Sequence, residues 1–227
     1  MQRAKAVAIF LIATLLLAIP ALILLFTNEK YQLHAWLNSH HTATGDLIFS
    51  WLTHVADGWM PTLIAVLLLF FKDVRSFLMM GLSVGISAGI CQLLKRMVFG
   101  TWDRPYMFKD ELGDMAWVIG LDLNHHFSFP SGHATTAFSM SFALAVIVAR
   151  SRWAIPFVAL AVILAFSRVY LSQHFLEDIT AGALLGIAVS SIFYLVLYKG
   201  PHSSHPRFDM RPFRRRQMSS MSDQRSE

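Results

Sequence analysis

The chain has 227 residues, 55% of them hydrophobic and only 15% charged, with a mean hydropathy of +0.50. A soluble domain is about a quarter charged, so this composition excludes an ordinary soluble fold and specifies a membrane protein. The formal charge of +5 does not point to nucleic acid. Much of the excess sits after Tyr198, at Arg207, Arg211, Arg214, Arg215, Arg216 and Arg225, where it suits the anionic cytoplasmic leaflet or bulk solvent. Cys91 is the single cysteine, so no disulfide forms within the chain and redox chemistry has no support.

A spanning helix needs roughly 20 mostly apolar residues, and six such spans can be drawn. The first, Ala6 to Phe26, follows Arg3 and Lys5. Its apolar run is too long for a typical signal-peptide core and lacks a small-residue cleavage motif, so it reads as an uncleaved membrane helix. The second, His54 to Phe71, is interrupted by Asp57 and Pro61. The third, Ser76 to Leu94, carries Gly81, Gly85 and Gly89 on one helical face, where another helix could approach closely. The fourth runs from Ser131 to Ala149, the fifth from Trp153 to Leu171 and the sixth from Ile179 to Tyr198, with Gly182 and Gly186 repeating the small-residue spacing.

The predicted fold is therefore an all-α, six-transmembrane-helix bundle over residues 1–200. A basic, cytoplasmic and disordered tail is expected over 201–227, which lacks periodicity. With the N-terminus cytoplasmic, most of the 19 Lys and Arg residues fall on the inside, as the positive-inside rule requires. Two long connections then lie outside. Thr27 to about Thr53 has room for a short interfacial helix, and Arg96 to Pro130 is polar, aromatic and too long for a simple turn.

Ionisable side chains in or beside spans cost about 2.5 to 3.5 kcal/mol each at the bilayer centre and need a reason. Lys95, Arg104, His133, Arg168, His174 and Asp178 all fall at outer span ends or in an outer loop. Lys95, Arg104 and Arg168 supply three fixed positive charges suited to a dianionic phosphoryl group. Pro130-Ser131-Gly132-His133 opens the fourth span, where free helix N–H groups favour an anion and Gly lets backbone approach it. His174 and Asp178 are four residues apart at the entrance to the sixth span and, if helical, share a face. The carboxylate can then hold one imidazole nitrogen and present the other as base or nucleophile. Two histidines with a cationic clamp suffice for phosphoryl transfer without metal, one attacking and one protonating the leaving oxygen.

These residues also form three ordered signatures that resemble those of the type-two phosphatidic acid phosphatase superfamily. Ser167-Arg168 with His174 and Asp178 matches the third, Pro130 to His133 the second, and Lys95 with Arg104-Pro105 the first. The first departs from the pattern: Arg96 to Asp103 is two residues longer than the family's usual spacing. Either the loop is longer or Arg96 replaces the lysine; Lys95 is favoured. The resemblance implies that His174 is the nucleophile forming a phosphohistidine, Asp178 its orienting partner and His133 the general acid. It implies that Lys95, Arg104, Ser131, Gly132 and Arg168 hold the phosphate oxygens, with no metal and no cofactor.

The expected activity is hydrolysis of a phosphomonoester or pyrophosphate on a membrane lipid. The expected place is a bacterial inner membrane, with the site at the outer membrane–water interface, facing the periplasm or exterior. Expected partners are the lipid substrate and the bilayer, with no nucleic acid. A phosphotransferase using the same intermediate is an alternative. A transporter is disfavoured because no repeat appears and the charges gather at one face. His125 and His126 read as solvated or headgroup-facing residues rather than metal ligands, and Trp102, Tyr106 and Trp117 as interface anchors.

Overall fold

The computed structural model describes residues 1–201 and 203–213. Its helices are α1 (Gln2–Thr27), α2 (Lys30–Leu37), α3 (Ala43–Leu52), α4 (Trp59–Phe71), α5 (Val74–Met97), α6 (Lys109–Leu112), α7 (Gly132–Val148), α8 (Ala154–Tyr170) and α9 (Leu176–Tyr198). Four helical segments are long and apolar enough to cross a membrane: α1, α5, α8 with its preceding 3-10 turn, and α9. A fifth forms if α3 and α4, bent by 50° at a short break, are taken as one span.

The third and fifth expected spans map onto α5 and α8 to within a few residues. The second differs. The helix begins at Trp59 instead of His54, because Thr53–Ala56 forms a 3-10 turn and the chain breaks at Asp57–Gly58. The fourth expected span is α7, a 17-residue apolar helix. Thirteen of those residues are buried by neighbouring helices, so it is a core element of the bundle and not a lipid-facing one. The connection after α1, expected to lie outside, holds two helices, α2 and α3, started by local caps. Glu29 accepts the N–H groups of Tyr31 and Gln32, and Thr42 that of Gly45.

Helix α7 is the hub, packed by α9, α8, α5 and α1. The α9 glycines make its closest contact. A Cβ on Gly182 would lie 2.5 Å from the Ser131 carbonyl oxygen, and one on Gly186 2.5 Å from that of Thr135. Only glycine lets the two backbones meet there. Gly81, Gly85 and Gly89 of α5 behave differently, because a Cβ on any of them meets nothing within 4 Å. Helix α5 instead buries the face of Met79, Ser83, Ser87 and Cys91, so the close approach expected at its glycines does not occur within the chain.

The two ends of the bundle differ chemically. At one end the carbonyls closing α7 and α9 accept from cations: Arg3 Nε to Val146 O (3.0 Å), Lys72 Nζ to Ile147 O (2.7 Å) and Arg75 Nη1 to Leu197 O (2.6 Å). Positive charge at a helix C-terminus is favourable. Arg75 also pairs with Asp209 at 3.0 Å, and Phe70 stacks on Phe213, so part of the segment after residue 200 lies against α4 and α5. Of the segment 201–227 expected to be disordered, residue 202 and residues 214–227 lie outside the described residues. At the other end stand the N-termini of α7 and α9 and the C-terminus of α8.

Candidate active site

The turn between α8 and α9 folds back on itself. The N–H groups of Gln173 and His174 both donate to Arg168 O, at 2.9 and 3.1 Å, which draws Arg168 and His174 together. In the first turn of α9, Asp178 Oδ2 accepts from the Phe175 N–H (2.9 Å) and from Ser128 Oγ (2.5 Å). It also lies 3.2 Å from His174 Nδ1. His174 is 1% exposed and Asp178 0%, so the pair is shielded from competing water. Burial holds the imidazole well below its ordinary pKa, and the charges of Arg104, Lys95, Arg168 and His133 reinforce the shift. The ring is thus neutral near pH 7. Facing a carboxylate, Nδ1 carries the hydrogen, and the lone pair rests on Nε2.

Three cations surround this pair. Lys95, in the last turn of α5, is buried and donates from Nζ to Phe127 O (2.8 Å), while Arg96 beside it is exposed. Arg104 donates from Nε to His126 O (2.9 Å) and from Nη1 to Gln173 O (3.0 Å). Burial lowers its pKa from the usual guanidinium value, with the Asp178 charge opposing. Arg168 donates from Nη1 to Thr53 Oγ1 (2.8 Å), and its buried Nε has no hydrogen-bond partner among the described residues. Among the described residues none of the three is in ion-pair contact with a carboxylate. Three clustered cations held by neutral acceptors have the charge and the donors that suit an anion.

Ser131 is the N-cap of α7 and its N–H donates to Asp178 O (2.9 Å), joining the starts of α7 and α9. At Gly132 a Cβ would meet only Cys91 Sγ, at an ordinary 3.9 Å, so the protein leaves room above this backbone. His133, one residue on, places Nε2 2.8 Å from Asp57 Oδ1. All eight residues singled out in the sequence therefore lie around one centre.

The structure adds four that sequence reasoning missed. Ser128 holds the Asp178 carboxylate, Thr53 accepts from Arg168, Asp57 contacts His133, and Gln173 fixes the long loop. The Gln173 side chain accepts from Arg104 (3.3 Å) and Asn124 (3.1 Å) and donates to Asp122 O (2.9 Å). Only Asp57 had left a visible trace, as a charge interrupting an apolar run. His126 pairs with Asp103 at 2.6 Å and His125 stacks on Tyr106. Trp102 packs on Phe99 and Phe129. No group of three or more His, Cys, Asp or Glu able to hold a metal occurs among the described residues.

Fold and site together define a helical membrane protein in which two histidines and three cations gather around one centre. The chain belongs to the PAP2 superfamily, whose pattern matches residues 76–201. A lipid A 4'-phosphatase of Bacteroides thetaiotaomicron is 25% identical over 175 residues, covering 74% of this chain and 76% of the relative. YbjG of Escherichia coli K12, provisionally named an undecaprenyl-diphosphatase, is 31% identical over 134 residues, 56% of this chain and 61% of its own. Among solved structures, Aquifex aeolicus LpxE aligns with a TM-score of 0.63 at 22% identity, covering 72% of this chain and 93% of that one. A PAP2-type phosphatidylglycerolphosphate phosphatase of Bacillus subtilis aligns at 0.57 and 22% identity, covering 83% and 94%. At that identity the likeness to solved structures concerns the fold.

Proposed function

We propose that the chain is an integral membrane lipid phosphatase that hydrolyses a phosphomonoester or pyrophosphate through a phosphohistidine, without metal. The observation that carries this reading is the buried His174–Asp178 pair ringed by three cations that lack carboxylate partners among the described residues. Its relatives support the substrate class, since those named above are a lipid A 4'-phosphatase and a protein provisionally named an undecaprenyl-diphosphatase.

Lys95, Arg104, Arg168 and the N–H groups around Ser131 and Gly132 take the phosphoryl oxygens. His174 Nε2 attacks phosphorus; the N–P bond forms as the P–O bond to the lipid breaks. The leaving oxygen takes that electron pair and a proton from His133. Water, deprotonated by His133, then splits the N–P bond, releasing phosphate and restoring both rings. Asp178 holds the His174 tautomer and stabilises the charge the ring acquires.

An apolar cavity of about 190 Å³ between α1, α7, α8 and α9 is lined by Leu176, Ile179 and Thr180. These belong to the same first turns of α9 that carry Asp178, which places hydrocarbon-compatible space beside the centre. In this reading α1, α4, α5, α7, α8 and α9 form the six-helix membrane domain, both termini are cytoplasmic and the site faces the periplasm or exterior.

Phosphate release by detergent-purified protein from lipid A, phosphatidic acid, phosphatidylglycerophosphate and undecaprenyl pyrophosphate, with EDTA present, tests the function. Turnover of at least one lipid, lost in His174→Ala and blocked by vanadate, is the expected result. Activity abolished by EDTA and restored by Mg²⁺ would overturn the mechanism.

A further inference from the structure

We propose that Asp57, delivered by the break between α3 and α4, is the positioning residue of His133 and makes the protein a two-dyad enzyme, His174–Asp178 attacking and His133–Asp57 protonating. This rests on the phosphohistidine reading above, in which His133 is the general acid.

The break is built into the centre from two sides. The 3-10 turn before it brings buried Thr53 to Arg168. Asp57, at its end, uses both carboxylate oxygens: Oδ1 faces His133 Nε2 at 2.8 Å and Oδ2 faces His54 Nδ1 at 2.8 Å. A continuous helix from Ala43 to Phe71 would bury these polar groups in the bilayer. The 50° bend instead turns them toward α7 and α8. The cost of breaking a span and keeping a carboxylate at its end is offset by the contacts with His133 and Arg168.

The chemistry explains why His133 needs this partner. A general acid must hold its proton until the leaving oxygen develops charge. The other groups facing His133 are Arg168 on α8 and Arg104 in the long loop, with His174 beside them on the α8–α9 turn. Asp57 is the anion facing His133, so the carboxylate at 2.8 Å favours the imidazolium over the neutral ring and fixes it with Nε2 engaged. As the P–O bond breaks, the proton passes from the ring to the lipid alkoxide, and the ring stays neutral against Asp57. When water attacks, its proton returns to His133.

The experiment compares the unaltered protein, Asp57→Asn, Asp57→Glu, His133→Ala and the Asp57→Asn/His133→Ala double variant. Substrates are a short-chain phosphatidic acid, whose alkoxide must be protonated, and p-nitrophenyl phosphate, whose aryl oxide leaves as an anion. Asp57→Asn should lower kcat/KM on the lipid by about 10- to 100-fold and on the aryl phosphate by less than about threefold. It should also move the alkaline limb of the lipid pH profile to lower pH, because the acid loses its proton sooner without the carboxylate. Asp57→Glu should recover part of the loss, and the double variant should be no worse than His133→Ala alone.

Equal losses on both substrates with an unmoved alkaline limb would overturn the proposal, leaving Asp57 as a brace for the helix break. If Asp57→Asn does not fold, Asp57→Glu carries the same comparison. Trapping ³²P-labelled phosphoenzyme separates the two levels. Without any acid-labile phosphoenzyme in the unaltered protein, the phosphohistidine reading itself fails. With phosphoenzyme present and His133→Ala biased by leaving group but Asp57→Asn unbiased, the Asp57 assignment alone fails.

Discussion

The Ser131 N–H donates to the Asp178 carbonyl at 2.9 Å, so the starts of α7 and α9 are tied to each other and the two signatures they carry share one frame. That contact exists because Gly182, one turn beyond Asp178 in α9, has no side chain to hold the helices apart.

Replacing Gly182 by Ala should therefore be costly. Its Cβ would stand 2.5 Å from Ser131 O, against backbone that cannot rotate away. Overpacking of this kind costs about 1–3 kcal/mol, and the shift falls on the α7 N-terminus that carries His133. The midpoint of thermal unfolding in detergent and the specific activity should both drop. Gly85→Ala, where a Cβ meets nothing within 4 Å, should be neutral or stabilising, since Ala is the better helix former by about 1 kcal/mol. Equal behaviour of the two variants would refute the packing account.

Ser128→Ala removes a donor to the Asp178 carboxylate (2.5 Å). A hydrogen bond to a charged group is worth about 1.5–3 kcal/mol, and here it also orients the carboxylate that holds His174. Loss of about 10- to 100-fold in kcat, with KM changed by less than about threefold, is expected from steady-state kinetics on a lipid phosphate. A rise in KM alone would place Ser128 in substrate binding instead.

Acid should destabilise the protein through His34. Its ring is 2% exposed, with Nε2 against Ser172 Oγ (3.3 Å) and Nδ1 without a partner among the described residues. Burial, with Lys30 and His41, lowers its pKa from 6.5 to about 4. Above about 6.5 the ring is neutral in both folded and unfolded chains, and its contribution is intact. Below that value the unfolded chain binds a proton the folded one refuses, so stability falls until about pH 4, by up to ~1.4 kcal/mol per pH unit. His34→Gln should flatten the fall in unfolding midpoint between pH 7 and pH 5. An unchanged slope would locate the acid sensitivity elsewhere.

Topology is open to direct test. Asp110 and Ser204 are both exposed, and Cys91 is buried, so background labelling is low. Asp110→Cys should react with an impermeant thiol reagent on intact cells, and Ser204→Cys only after permeabilisation. The opposite pattern would put the histidine centre on the cytoplasmic side.

Much of this centre could be read in the chain itself because its chemistry is local. His174 lies in the turn just before the Phe175 N-cap of α9 and Asp178 in the first turn of that helix, and Ser131 to His133 are consecutive, so short stretches of chain set their relation. Apolar runs bounded by polar residues likewise located the cores of α1, α5, α8 and α9, since a bilayer demands length and apolarity from each span separately. Lys95 and Arg96 were not separable by spacing. The rotation of α5 in the bundle decides between inside and outside, burying Lys95 and exposing Arg96.

What tertiary structure alone decided are contacts between segments far apart in the chain. Asp57 meets His133, Thr53 meets Arg168, Ser128 meets Asp178, and Gln173 meets Arg104. The two glycine stripes have the same spacing, yet α9 packs backbone to backbone with α7 while the α5 stripe touches nothing nearby. Spacing places residues on a face of their own helix, but which face meets a neighbour depends on how all the helices fill space together. That packing turned an apparent flaw in the second span into part of the candidate site.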